Sequence, residues 1–79
     1  MIYEIRFEPP TPESDFAAVA AWLVEVGDHV AAGDDVVEVE AEKSIFSLPA
    51  PAAGVLTEVV AAVGDELNAG DLIGVIEAP

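Results

Sequence analysis

The chain has no cysteine, only two basic side chains and no long apolar run. Without cysteine there is neither a disulfide nor a thiolate metal cage, and the composition fits a reducing compartment. Sixteen Asp and Glu face Arg6 and Lys43 alone, for a formal net charge of -14. A surface of that sign repels phosphate backbones and anionic bilayers, so neither nucleic acid nor a membrane is expected as a partner. The longest apolar stretch, which ends at Val24, is far too short to span a bilayer. Residues 1–4 carry no basic segment and no leader-like stretch. These absences predict a cytoplasmic protein.

A length of 79 residues predicts one domain, residues 1–79, with little room for a buried substrate pocket. A hydrophobic content of 53% argues against disorder despite the charge.

The sequence contains an internal repeat. Residues 26–40, V-G-D-H-V-A-A-G-D-D-V-V-E-V-E, align with residues 63–77, V-G-D-E-L-N-A-G-D-L-I-G-V-I-E, at an offset of 37. Both Gly-Asp pairs of one half recur in the other, and Val30, Val36 and Val39 exchange with Leu67, Ile73 and Ile76. Two copies are too few for a solenoid. Two similar halves closing over one shared core is the better account.

Each half has the pattern of short strands joined by tight turns. Gly27-Asp28, Gly33-Asp34, Gly64-Asp65 and Gly70-Asp71 supply turn chemistry: glycine takes positive φ freely, and aspartate bonds nearby backbone. Tyr3, Ile5 and Phe7 alternate with Glu4, Arg6 and Glu8, as Val37, Val39 and Ala41 do with Glu38, Glu40 and Glu42; both are half-buried strand patterns. Residues 72–76 are almost continuously apolar, as in a strand covered on both sides. Pro49 and Pro51 suit an edge or a bend. Residues 14–22 conflict, because Ser14 followed by an alanine-rich stretch has the look of a capped helix start. The repeat places a strand over residues 18–26 instead and leaves room for a helical turn at 13–16. The predicted fold is all-β, with about eight short strands in two small packed sheets as a sandwich or flattened barrel.

Lys43 is the only lysine. It lies in E-A-E-K-S, residues 40–44, between two strand-like runs and near the junction of the halves. A strand–tight turn–strand there puts it at an exposed tip. The repeat-equivalent position falls just past Pro79, so this turn and the chain ends should lie at opposite ends of the domain.

Taken together, W-L-V-E-V-G-D-H-V-A-A-G-D-D-V-V-E-V-E-A-E-K-S, P-A-P-A-A-G-V-L and V-G-D-E-L-N-A-G-D-L-I-G-V-I resemble a lipoyl domain of the biotinyl/lipoyl-attachment family, over nearly the whole chain. The resemblance implies a flattened barrel-sandwich hybrid of two four-stranded antiparallel sheets with quasi-two-fold symmetry. It implies lipoate in amide linkage to Lys43, attached by a lipoate ligase or an octanoyl transferase, with Glu40, Glu42 and Ser44 as flanking recognition residues. It further implies a swinging-arm carrier, not an enzyme in its own right, serving the thiamine-dependent decarboxylase, acyltransferase and dihydrolipoyl dehydrogenase components of a 2-oxo acid dehydrogenase complex. The sequence departs from the family at Glu42-Lys43-Ser44, where D-K-A is usual, and in the loop P-P-T-P-E-S-D-F. Biotin carriers usually flank the lysine with methionines, and here the only methionine is Met1. A biotin carboxyl carrier and an unmodified β-scaffold that only binds partners are the alternatives. Membrane-fusion adaptors carry a long insertion at the central turn, and the glycine-cleavage carrier needs further elements for which this chain has no room.

Other residues carry blander readings. The Glu38/Glu40/Glu42 row is a solvated strand face, with at most a steering effect on a basic partner. His29 has no second histidine for a metal site. Trp22 replaces an aliphatic of the repeat and is expected in the core. Ser44 beside Lys43 makes no dyad, since neighbouring strand residues point apart. No G-x-x-x-x-G-K is present to cradle a phosphate. Residues 77–79 fit either the start of an Ala/Pro linker or a true end.

Overall fold

Apolar–charged alternation defines the first strand, β1 (Ile2–Arg6), in which Ile5 faces the core and Glu4 and Arg6 face solvent. The computed structural model describes residues 1–8, 17–41 and 44–79. Six more strands follow: β2 (Ala17–Trp22), β3 (His29–Val30), β4 (Asp35–Ala41), β5 (Ser44–Pro49), β6 (Gly54–Val59) and β7 (Leu72–Glu77). They form one four-stranded sheet in the order β1-β7-β6-β3 and one three-stranded sheet in the order β2-β4-β5, with every pairing antiparallel.

The two sheets obey the repeat. Gly27 N–H donates to Leu56 O at 2.8 Å, and Gly64 N–H donates to Val19 O at 2.8 Å, each residue shifted by 37 from its counterpart. Leu23 N–H bonds Val36 O and Val60 N–H bonds Ile73 O, both at 2.9 Å. Even the irregularities match. The β4–β5 register shifts around Val36, and the β1–β7 register shifts around Ile73. Each shift leaves one extra residue on the inner strand, and both of these residues are fully buried. Leu56, Ile76, Val19, Val37 and Val39 complete the solvent-free centre of the core.

Four- and four-stranded sheets were expected, and the second sheet has three strands among the described residues. Its fourth place is held by Glu66, in a single bridge to Ala18, and by Leu67, whose N–H reaches Ala17 O at 2.8 Å. The repeat partner of this segment, β3, is itself only two residues long, so contact this brief falls short of a ladder. The barrel half of the expectation is also corrected. β1 and β5 are sheet edges that flank an open groove, and the architecture is a sandwich.

The strand expected over 18–26 ends at Trp22. The Asp28 carboxylate accepts the N–H of Glu25 at 2.9 Å, and Asp28 N–H returns to Glu25 O at 2.9 Å, which turns the chain before it can extend. The helical turn at 13–16 falls outside the described residues. Pro49 closes β5 on the edge of its sheet, where a missing N–H costs no ladder bond. Trp22 is half-buried, packed against the core, and donates its indole N–H to Ala61 O at 2.8 Å. It ties one half of the repeat to the other.

Candidate functional site

The β4–β5 hairpin is the element on which the sequence places its lysine. Along β4 the inward residues Val37, Val39 and Ala41 are buried, whereas Glu38 is half-exposed and Glu40 exposed. In the register of the hairpin Val39 faces Phe46, Glu40 faces Ile45 and Ala41 faces Ser44. The strands are therefore paired up to Ala41 and Ser44, and only residues 42 and 43 lie between them in the sequence. Glu42 and Lys43 themselves lie outside the described residues. Glu40 and Ser44, the other two residues singled out from sequence, are solvent-exposed on either side.

The strand ends beside this turn are paired and packed against neighbouring elements. Ala17 of β2 pairs with Ala41, and both are buried. Phe46 is half-buried, with its ring stacked on that of Phe7 at a centroid separation of 6.3 Å and an interplanar angle of 23°. Phe7 N–H donates to Asp71 O at 2.9 Å and Gly70 N–H donates to Phe7 O at 2.8 Å, fixing the turn that starts β7 at the same end. Sequence reasoning saw Phe7 as a strand residue and missed the pairing with Phe46, because β5 lies outside the aligned repeat. The same holds for Ile45, an aliphatic residue 63% exposed beside Ser44.

The chain termini lie at the other end. From Leu72, β7 runs the length of the sheet to Glu77, which faces Ile2. Beyond it the Met1 ammonium donates to Ala78 O at 2.9 Å, and Ala78 N–H donates to Met1 O at 2.8 Å. The molecule is 37 Å long against 20 and 17 Å across, so the Ala41/Ser44 end and the termini are well apart.

The expected solvated character of the acidic face holds for Glu38 and Glu40. No group of three His, Asp or Glu side chains among the described residues could hold a metal. His29 is exposed and lines a shallow cleft of about 390 Å³ with Gly54, Thr57 and Glu77. Arg6 is held by Glu4 through both carboxylate oxygens, at 3.1 and 3.2 Å, and by Gly70 O at 2.7 Å.

The model of the Biotin_lipoyl family, described as "Biotin-requiring enzyme", matches residues 7–76. The chain belongs to the biotin/lipoyl-attachment family. Over 73 residues, 92% of the chain, it is 36% identical to the dihydrolipoyllysine-residue acetyltransferase component of the pyruvate dehydrogenase complex of Haemophilus influenzae. Over 78 residues, 99% of the chain, it is 35% identical to the dihydrolipoyllysine-residue succinyltransferase component of the 2-oxoglutarate dehydrogenase complex of Bartonella vinsonii subsp. berkhoffii. It spans only 13% and 19% of the lengths of these relatives. Among solved structures, the lipoyl domain of the 2-oxoglutarate dehydrogenase complex from Azotobacter vinelandii superposes with a TM-score of 0.73 at 28% identity, over 94% of this chain and 96% of that one. Urea carboxylase from Kluyveromyces lactis superposes with a TM-score of 0.72 at 30% identity, over 95% of this chain and 7% of that one. The lipoyl/biotinyl-attachment fold is thus found here in a form that recurs as one part of acyltransferase components.

Proposed function

We propose that this domain carries lipoate on Lys43 and serves as the swinging arm of a 2-oxo acid dehydrogenase-type complex. The observation that carries the reading is the hairpin register: Ala41 faces Ser44, and the only lysine of the chain is one of the two residues between them. Glu40, Ser44 and Ile45, described residues on either side of it, are exposed. A primary amine in such a place fits a covalently tethered group that must meet several enzymes in turn. The dithiolane supplies acyl and electron carriage when bound.

The chain's own contribution is placement. A tethered reactant meets each partner at raised effective concentration, without a new binding event. Lys43 acts as a nucleophile once, at attachment, after a ligase or octanoyl transferase takes its proton. Glu40, Glu42 and Ser44 flank it as recognition residues. Amide formation removes one positive charge, so the net charge passes from -14 to -15. The proposed partners during turnover are a thiamine-dependent decarboxylase, an acyltransferase and dihydrolipoyl dehydrogenase. The site of action is proposed to be the cytoplasm, and residues 1–79 to be one domain.

Biotin is the second reading, because the urea carboxylase neighbour fits the fold as well as the lipoyl domain does. The lack of methionine beside Lys43, and relatives that are dihydrolipoyllysine-residue acyltransferase components, favour lipoate. Intact mass of protein from its native host decides. A lipoyl amide adds about 188 Da and a biotinyl amide about 226 Da, by formula arithmetic on cofactors of this class. The expected result is the smaller adduct, lost in Lys43→Arg. An unmodified native protein would overturn both carrier readings and leave the partner-binding scaffold.

A further inference from the structure

The open side of the sandwich offers a binding site distinct from the hairpin end. Between the edges of β1 and β5 runs a groove of about 740 Å³, lined by Ile5, Leu48, Pro49 and Pro51 and by the charged residues Glu4 and Glu8 among others. Neither Ser44 nor Ile45 lines it.

The β1 edge is chemically unfinished among the described residues. β1 has one ladder partner, β7. Met1 and Ala78 exchange two backbone bonds. Antiparallel ladders alternate bonded and non-bonded pairs. Tyr3–Ile76 and Ile5–Gly74 are then the next bonded pairs, and the N–H and C=O groups of Ile2 and Glu4 point to the free edge. Phe7 is again bonded inward, to Asp71 and Gly70, which turns Arg6 outward as well. The free edge of β5 is poorer, because Pro49 has no N–H to offer.

We infer that the β1 edge takes up an extended, basic polypeptide segment by strand addition, with alternate aliphatic side chains of that segment lying in the groove. Main-chain bonds to Ile2, Glu4 and Arg6 would give the affinity, and the apolar floor of Leu48, Pro49 and Pro51 the preference for aliphatic residues at every second position. Charge selects the occupant. The protein carries -14, and the one cation in the groove, Arg6, is already neutralised by Glu4. A second copy of this chain would bring a further -14 to the same edge, and like-charge repulsion disfavours that self-pairing. A lysine-bearing segment meets attraction at every approach. Docked there, it leaves Glu40 and Ser44 uncovered.

The test uses the whole 79-residue chain and two synthetic octapeptides, one alternating valine with lysine and one alternating valine with glutamate. The valine–lysine peptide should bind at low ionic strength and weaken as salt is raised, and the valine–glutamate peptide should not bind. Amide exchange at Ile2, Glu4 and Arg6 should slow on binding. Ile2→Pro removes an outward N–H without breaking the β7 ladder or the Glu4–Arg6 pair, and should weaken binding at least tenfold while the amide spectrum of the sheets is kept. N-methylation of alternate residues of the valine–lysine peptide, which removes its own N–H groups and keeps its charge, should weaken binding likewise with the protein unchanged. Protection that arises elsewhere, equal binding of both peptides, no binding of the basic peptide, or a peptide-free mass that doubles with concentration would each overturn the assignment.

Discussion

Four aspartates do the same work in four turns. Asp28, Asp34, Asp65 and Asp71 each accept, through Oδ2, the N–H of the residue three before, at 2.8–2.9 Å. Each also returns its own N–H to the carbonyl of that residue. The glycine preceding each has positive φ, from 85° to 99°, where a Cβ is strained. Asp28→Ala and Asp65→Ala should therefore cost about 1 kcal/mol each, the worth of one such bond. The two losses should be nearly equal, because the turns are equivalent, and urea midpoints at constant m-value would measure them. Asp→Asn should recover most of the loss, since an amide oxygen accepts the same N–H; no recovery would show that charge and not the bond is at stake. These turns were fully legible in the sequence, because everything they need lies within four residues. The same cannot be said of Trp22. Its bond to Ala61 crosses the halves, and no local pattern announces a partner 39 residues away.

At the level of elements, legibility follows how much a strand depends on its neighbours. Alternation located β1 and β4 closely, since one face of each meets the core and the other meets water. Bulges at Val36 and Ile73 were not readable, because a bulge is a property of two registers and not of one strand. The strand-like runs beside the lysine were foreseen up to Ala41 and from Ile45, and β5 begins one residue earlier, at Ser44; the packing of Phe46 on Phe7 was not foreseen. The start of β6 shows how tightly elements meet. Gly54 has so little space that a Cβ would strike the carbonyl oxygen of Glu77 and come within 3.0 Å of Ala78 Cα. Both contacts are backbone and cannot swing aside. Its repeat equivalent is Ala17, where a methyl is accommodated beside Ala41. Gly54→Ala should thus destabilise by about 1–3 kcal/mol, the range for overpacking. Ala17→Gly should cost less, about 1 kcal/mol from lost burial and added chain entropy. The order of the two melting temperatures checks this; a Gly54→Ala protein as stable as the parent would mean that the β6–β7 pairing opens freely at that end.

At the scale of the molecule, charge is set against a core that is small but clean. No polar or charged side chain is buried among the described residues, and no buried side-chain nitrogen or oxygen lacks a hydrogen-bond partner. The charged side chains of the described residues therefore all lie outside the core, on a particle only 37 by 20 by 17 Å. The carboxylates of such a particle stand within a few screening lengths of one another, since the Debye length is about 10 Å at 0.1 M salt and about 30 Å at 0.01 M. Unfolding moves like charges apart, so self-repulsion favours the unfolded chain most at low salt. Little opposes it, because the only described ion pair joins Arg6 to Glu4 on the surface, with both side chains about half exposed, and contributes at most about 1 kcal/mol. Raising sodium chloride from 10 to about 150 mM should then raise the melting temperature, with most of the gain below the concentration at which the Debye length falls under the width of the domain. The proposed lipoylation of Lys43 would remove one of the two cationic side chains and should make the rise slightly steeper. A melting temperature that stays flat or falls over this range would mean that the surface carboxylates are spaced widely enough for their mutual repulsion to contribute little to stability.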